Sequence, residues 1–505
     1  MAGAREQPFD LFVVGGGING AGIANDASGR GLAVGLCEMG DFAGATSSAS
    51  TKLIHGGLRY LEYYEFRLVR ESLAEREVLL RKAPHIIWPL RFVLPHEPHL
   101  RPAWMIRIGL FLYDHIGGRM SLPKSRSVRL AGTEWGVGLS PRYAKGFVYS
   151  DCWVDDARLV ILNLMQARAQ GAAILPRTQC LNAVREGDLW RIALRDLQSG
   201  QDGEVFARGL VNAAGPWVRH LFDALPGVKP GNSVRLVKGS HIVVPRQHAG
   251  EHAFILQNRD NRIVFVIPYQ NDYTLIGTTD VPYEGEPRAV KITDEEIDYL
   301  CAIASEYLAR AVTPADVVWT YSGVRPLYDD GSDNPSAVTR DYVFELDAES
   351  GQAPLLSIYG GKITTYRELA ERALHKLKPF YPAMGPDWTA RGPLPGGGLE
   401  LEFEHYVGAL VARHPALPSD WLHALARRHG SHVDRILQGV HTPADLGRHF
   451  GGGLYQREVE WLMREEWAVA AEDVLWRRTK EGLRLDAAQR QDLAAWMEAR
   501  RRNSV

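Results

Sequence analysis

Three glycines and one acid carry the plainest chemistry in this chain. Gly15, Gly17 and Gly20 fall in the spacing G-x-G-x-x-G within Gly15-Gly16-Gly17-Ile18-Asn19-Gly20. Leu11-Phe12-Val13-Val14, just before them, is short and apolar and reads as a buried strand. A helix-like segment follows, and a second apolar run, Ala33 to Cys37, ends on Glu38. A strand, a glycine turn and a helix in this order bind a dinucleotide. Gly15 permits the tight turn, Gly17 lets a pyrophosphate approach the backbone, and Gly20 lets helix and strand pack closely. The first turn of the helix offers unpaired N–H groups to phosphate. Glu38 stands where an acid accepts hydrogen bonds from the adenosine ribose.

The next segment chooses among dinucleotides. Nicotinamide enzymes continue here into another strand–helix unit. This chain runs Ala45-Thr46-Ser47-Ser48-Ala49-Ser50-Thr51-Lys52-Leu53-Ile54-His55-Gly56-Gly57-Leu58-Arg59-Tyr60. Small hydroxyl residues and a Gly-Gly pair suit a backbone lying along an extended FAD, and glycines allow close approach to a flat ring. Another apolar strand ends in Asn212-Ala213-Ala214-Gly215-Pro216, a turn that brings the chain back over the FAD diphosphate.

The chain resembles the aerobic, FAD-dependent sn-glycerol-3-phosphate dehydrogenases of bacteria. The segments that carry the resemblance are GGGINGAGIANDASGRGL, ATSSASTKLIHGGLRYLEYYEFRLVRE, YSDCWVDDARLV, LVNAAGPWV, VKGSHIVVP, IGTTDVPY, TYSGVRPL, YGGKITTYRELAE and VLWRRTKEGL. They run in order to about residue 483 and span nearly the whole chain. The resemblance implies FAD as cofactor and sn-glycerol 3-phosphate as substrate. It also implies membrane quinone as electron acceptor and a peripheral position on the cytoplasmic face of the inner membrane. A homodimer is expected.

Oxidising a secondary alcohol needs a base for the hydroxyl proton, an acceptor for the hydride and a grip on the substrate. Arginine grips phosphate best, because its planar fork bonds two oxygens at once. Arg325, between a glycine and a proline in Ser322-Gly323-Val324-Arg325-Pro326, is the leading phosphate ligand. Arg59 and Tyr60 follow the His-Gly-Gly segment and are expected near the ring edge, and Arg340 is a weaker phosphate candidate. Thr278 and Asp280 are polar contacts that the resemblance implies. Lys362 and Thr364 lie in Gly360-Gly361-Lys362-Ile363-Thr364-Thr365, which opens a helix from Tyr366 to Leu377. N–H groups there favour negative charge growing on the ring during reduction. Two histidines compete for the base, His55 ahead of His241, since imidazole titrates near pH ~6.5. The residues assigned to FAD are Gly15, Gly17, Asn19, Gly20, Glu38, Thr46, Ser47, Ser48, Lys52, Leu53, His55, Gly56, Gly215, Gly361, Lys362, Ile363 and Thr364. No metal is expected; His96-Glu97-Pro98-His99 reads as a surface loop, because its proline spoils a helical ligand face.

Around these residues stand the elements that must position them. The 505 residues exceed one core, so two or three domains are expected. The fold expected is α/β plus α+β: a Rossmann-type FAD-binding domain, an antiparallel-sheet substrate cap and a C-terminal helical domain. The FAD domain is expected in three pieces, 8–83, 149–230 and 346–389. The cap takes 84–148 and 231–345, and the helical domain 399–505. Leu394-Pro395-Gly396-Gly397-Gly398 reads as a hinge. A formal net charge of −2 gives no drive toward nucleic acid. Four scattered cysteines fit a reduced compartment. The first strand, near residue 10, leaves no room for a signal peptide, and no run of 18 apolar residues is present. Trp104 to Tyr113 is apolar within basic surroundings, and suits either a membrane interface or the cap core. An oxidase that reduces O2, and a membrane-docked flavin sensor without turnover, are the alternative readings.

Overall fold

The computed structural model describes residues 3–97, 101–260, 262–329, 341–349 and 351–502. Its first sheet has six strands, in the order Val343–Asp347, Leu355–Tyr359, Leu210–Asn212, Leu11–Val14, Val34–Cys37, Ala173–Leu175. All neighbours run parallel except Val343–Asp347. Parallel strands covered on both faces must be apolar throughout, and Leu11–Val14 and Val34–Cys37 are fully buried. The helices Ile18–Gly29, Asp156–Ala169 and Tyr366–Leu377 pack on this sheet's side of the molecule. The chain leaves Leu11–Val14 toward Val34–Cys37 on one side, while Leu210–Asn212 pairs on the other. Strand order therefore reverses there, which opens a crevice beyond the strand ends.

The second large sheet has ten strands. Its path runs Val281–Pro282, Val234–Pro245, Tyr273–Gly277, Ile263–Tyr269, Ala253–Gln257, Ile87–Pro95, Lys145–Val154, Leu53–Ile54. Trp319–Tyr328 and Arg126–Arg129 join from the side. It is antiparallel but for one pairing, Ala253–Gln257 with Ile87–Pro95. Three expected assignments shift. Leu53–Ile54, inside the expected FAD piece 8–83, pairs with Lys145–Val154 of this sheet. Tyr149 to Val154 belong to this sheet, because Lys145–Val154 pairs along its length with Ile87–Pro95. Val343 to Glu345 belong to the first sheet, through pairing with Leu355–Tyr359. A three-stranded antiparallel sheet, Thr178–Glu186, Leu189–Asp196 and Asp202–Ala207, completes the FAD-binding half.

Beyond residue 400 the chain is helical, with Phe403–Arg413, Ser419–His429, Gln456–Glu465 and Ala487–Arg502, plus a π-helical turn at Asp473–Arg478. Its apolar residues share one continuous core with the FAD-binding sheet, from Leu11 to Met497. The Gly396-Gly397 segment is no free hinge. A Cβ on Gly396 would lie 2.3 Å from the His429 carbonyl oxygen, and one on Gly397 2.1 Å from that of Lys82. The glycines are there because two backbones close on them. Charge is buried at the same junction. Arg158 pairs with Glu466, and Arg428 and His429 pair with Glu458 at 2.7 and 2.8 Å.

Candidate active site

The crevice at the strand reversal opens into a cavity of about 1220 Å³. Glycines shape its floor. Gly15 has φ +117°, and a Cβ there would meet the Ala213 carbonyl oxygen at 2.4 Å. At Gly20 a Cβ would lie 2.0 Å from the Gly15 carbonyl oxygen, so only glycine lets the helix Ile18–Gly29 start this close to the strand. Gly20 thus acts from behind the wall. The Ser47 hydroxyl accepts from the Ile18 N–H at 2.9 Å, which joins the hydroxyl loop to the helix N-terminus. Glu38 accepts from Gly16 N–H at 2.8 Å and Gly40 N–H at 2.7 Å. Burial raises its pKa, while those two N–H groups act against the rise.

Most of the residues singled out in the sequence meet in this cavity. Gly15, Gly17, Asn19, Glu38, Thr46, Ser47, Ser48, Lys52, Leu53, His55, Tyr60, Gly215, His241, Thr278, Arg325, Gly361, Lys362, Ile363 and Thr364 all line it. Several place their polar groups differently from expectation. The Lys52 ammonium is buried against Asp156 at 2.8 Å and the Ser48 carbonyl at 3.0 Å, which makes it a loop anchor. Gly56 is not in the wall: its N–H donates to the Tyr113 hydroxyl at 2.8 Å. Arg59 is not in the wall either. It precedes Tyr60 on the 3₁₀ helix Leu58–Tyr63, where successive side chains point about 120° apart. Asp280 stands behind Arg325, accepting from its Nη2 at 3.1 Å. Arg340 lies outside the described residues, as does part of the His96 to His99 loop.

The two imidazoles sit in different surroundings. His55 is half-buried, its backbone N–H donates to the Thr364 hydroxyl at 3.3 Å, and its ring meets Phe265 edge-on. His241 is 2% exposed, and its Nε2 lies 3.0 Å from the Thr51 hydroxyl. Burial, and then the charges of Lys52 and Arg325, push its pKa well below the usual imidazole value, so the ring is neutral. The Lys362 ammonium lies 3.8 Å from the centre of the Tyr60 ring.

The sequence reading missed part of the wall. Arg177, Thr178 and Gln179 line it, as do Trp217, His220 and Arg288. So do Trp319 and Tyr321, and, from the C-terminal domain, Glu472, Trp476, Arg477 and Lys480. The last three lie within VLWRRTKEGL, which carried the resemblance but suggested no contact.

The cavity accepts an extended dinucleotide on three observations: a glycine turn that a Cβ would block, an acid beside it, and a buried Asn19 Oδ1 without a protein partner. The comparisons agree. Residues 10–367 match the family model described as FAD dependent oxidoreductase, and residues 388–498 match the C-terminal domain of alpha-glycerophosphate oxidase. The aerobic glycerol-3-phosphate dehydrogenase of Escherichia coli (strain K12) is 53% identical over 97% of this chain and 97% of its own. The D-erythritol 1-phosphate dehydrogenase of Brucella abortus (strain 2308) is 52% identical over 98% of this chain and 99% of its own. The crystal structure of a glycerol-3-phosphate dehydrogenase from Bacillus halodurans complexed with FAD superposes with a TM-score of 0.74 at 28% identity. That match covers 95% of this chain and 87% of the other. The chain therefore belongs to the FAD-dependent oxidoreductase family, uses FAD as its cofactor, and carries the C-terminal domain of alpha-glycerophosphate oxidase.

Proposed function

We propose that the protein oxidises sn-glycerol 3-phosphate to dihydroxyacetone phosphate and passes the electrons to membrane quinone. The observation that carries this reading is the convergence of Arg325, Lys362, His55, His241, Tyr60 and Thr278, from separate segments, on one cavity beside the dinucleotide turn. Two cations suit a phosphate, and two imidazoles suit a hydroxyl proton. Bound FAD supplies the hydride acceptor. Arg325, braced by Asp280, grips the phosphate, and Lys362 adds charge from the helix side. His55 takes the hydroxyl proton, and neutral His241 holds the alcohol from the cap side. The related dehydrogenases of glycerol 3-phosphate and D-erythritol 1-phosphate both act on a polyol phosphate, which fits this set of groups.

The helix Ala103–Ile116 supports docking on a membrane surface. Trp104, Ile108 and Phe111 are 63%, 52% and 53% exposed, while only Leu110 and Tyr113 of this helix are buried. Arg101, Arg119 and Lys124 are exposed nearby. An apolar face rimmed by cations suits a lipid interface. Among the described residues no helix is long and apolar enough to cross a membrane.

An anaerobic spectrum of the purified protein tests the reaction. Bleaching of the flavin band by sn-glycerol 3-phosphate, absent with glycerol, is expected. Bleaching by D-erythritol 1-phosphate alone would move the substrate to a four-carbon polyol phosphate. The C-terminal family match favours an oxidase as second reading; one peroxide formed per substrate oxidised in air would establish it.

A further inference from the structure

The stretch 472–480 belongs to the C-terminal domain, yet it forms part of the cavity wall. Buried charge pins it there. Arg478, fully buried, donates to both Asp41 oxygens at 2.8 and 2.9 Å, and Lys480 pairs with Asp155 at 3.0 Å. Asp155 caps the helix Asp156–Ala169, whose first residue holds Lys52 of the hydroxyl loop. Breaking a buried pair of this kind leaves an uncompensated buried charge, so the position of the segment is firmly set.

The pinned segment delivers an aromatic stack. Trp476 lies on Trp319 with ring centres 4.5 Å apart and planes 13° apart. Trp319 meets Tyr321 at 5.1 Å, and Tyr321 lies on His241 at 4.7 Å and 15°. All four rings line the cavity. Tyr321 cannot slide, because its hydroxyl donates to the Ser50 carbonyl at 2.8 Å. His241 cannot tilt away, because Gly277 crowds it: a Cβ there would lie 2.1 Å from its Cδ2. Its Nε2 is engaged with Thr51, whereas its Nδ1 is buried without a protein partner. A buried polar atom without a partner is unfavourable, so the surrounding contacts must hold the ring in this place. The ring is held on one face, one edge and one nitrogen, and its position in the cavity wall is fixed by these neighbours.

We propose that Trp476 is a positioning residue of the reaction site: through Trp319 and Tyr321 it holds the His241 ring in the cavity wall that faces the polyol phosphate. The proposal rests on the reading above that His241 contacts substrate. A tryptophan that merely fills space would act independently of His241, and this separates the two roles.

Single-turnover flavin reduction by sn-glycerol 3-phosphate, measured on FAD-loaded protein, is the first readout. Trp476→Ala is expected to slow it about tenfold, since an ångström of misplacement costs up to ~100-fold. Trp476→Phe restores most of the rate. In a His241→Ala background Trp476→Ala adds no further loss. The second readout needs no turnover: carbethoxylation of His241 in the FAD-loaded protein, mapped by mass spectrometry. His241 is expected to stay protected in the parent and in Trp476→Phe, and to react in Trp476→Ala. Trp319→Ala, which breaks the stack from the cap side, gives the same pattern if Trp476→Ala does not fold. Losses that multiply in the double variant, or equal protection in all variants, overturn the proposal. Absence of bleaching in the parent protein overturns the substrate reading, while the protection pattern still decides whether the stack clamps His241.

Discussion

Arg325 shows how much a single side chain carries here. Its guanidinium already bonds the Thr279 carbonyl and Asp280, each at 3.1 Å, so its fork is oriented before a ligand arrives. A charge-assisted bond to phosphate contributes about 1.5–3 kcal/mol. Arg325→Ala is expected to raise KM for sn-glycerol 3-phosphate by ~10–100-fold, with kcat changed far less. A lowered kcat at unchanged KM would remove Arg325 from the phosphate site. His55→Ala should slow flavin reduction in a single turnover by ~100-fold or more; an unchanged rate would shift the proton to His241. Much of this site was legible in the sequence. The glycine turn, Glu38, the hydroxyl loop and the Lys362 segment each follow local rules of strand, turn and helix, and local rules survive folding. Arg59 was placed by adjacency to the His-Gly-Gly segment, Gly56 by the close approach that glycine allows and Asp280 by the resemblance, and none of these rules fixes where the polar group points. On a 3₁₀ helix Arg59 and Tyr60 diverge, Gly56 turns its N–H to Tyr113, and Asp280 braces the arginine from behind.

At the scale of elements, close backbone approach decides how the FAD-binding helix seats. The start of Ile18–Gly29 fits against the sheet only because Gly20 has no side chain. Gly20→Ala should push the helix off the strand and lower the FAD retained through gel filtration, read as flavin absorbance per protein, by ~10-fold or more, because the phosphate-binding N–H groups move with it. Retention of a full complement would show that the helix can yield. The helix Ala103–Ile116 makes the opposite use of its surface, leaving aromatic residues outside. Replacing Trp104, Ile108 and Phe111 by serine should abolish sedimentation with anionic vesicles while flavin reduction by substrate in solution continues. Vesicle binding that persists in this variant would place the lipid contact elsewhere. Its apolar character was readable in the sequence; which face points outward was not, because a core helix and an interfacial helix share one pattern. The pairing of Lys145–Val154 with Ile87–Pro95 was equally hidden, since strand partners are set by distant residues.

The whole molecule is tied together by charges buried between the FAD-binding half and the helical domain. Inside the helical domain next to that seam, Glu458, with Arg428 and His429 beside it, has its pKa lowered from 4.5 to about 2 by those neighbours despite burial. An unfolded chain takes up this proton near pH 4.5, whereas the folded one holds it off until about 2. The stabilisation is therefore complete above the higher value and fades as pH falls through that window. Urea midpoints between pH 5.5 and about 2.5 should fall with acid, and more shallowly in Glu458→Gln. Parallel curves would exclude Glu458 as a source of the acid sensitivity.

Asp41 and Arg478 stand 437 positions apart in the chain, yet they join across one cavity wall. Synthesis proceeds at about 5–20 residues per second, so the glycine turn waits ~20–90 s on the ribosome before the segment that closes the wall exists. Once residues 360–364 have been made, the crevice lacks the side that the stretch 472–480 supplies, and its lining there is uncovered. Firm retention of the cofactor then becomes a late event, coupled to arrival of the C-terminal segment. A chain cut short before that segment would release its flavin and expose sticky surface, and so mark itself for removal.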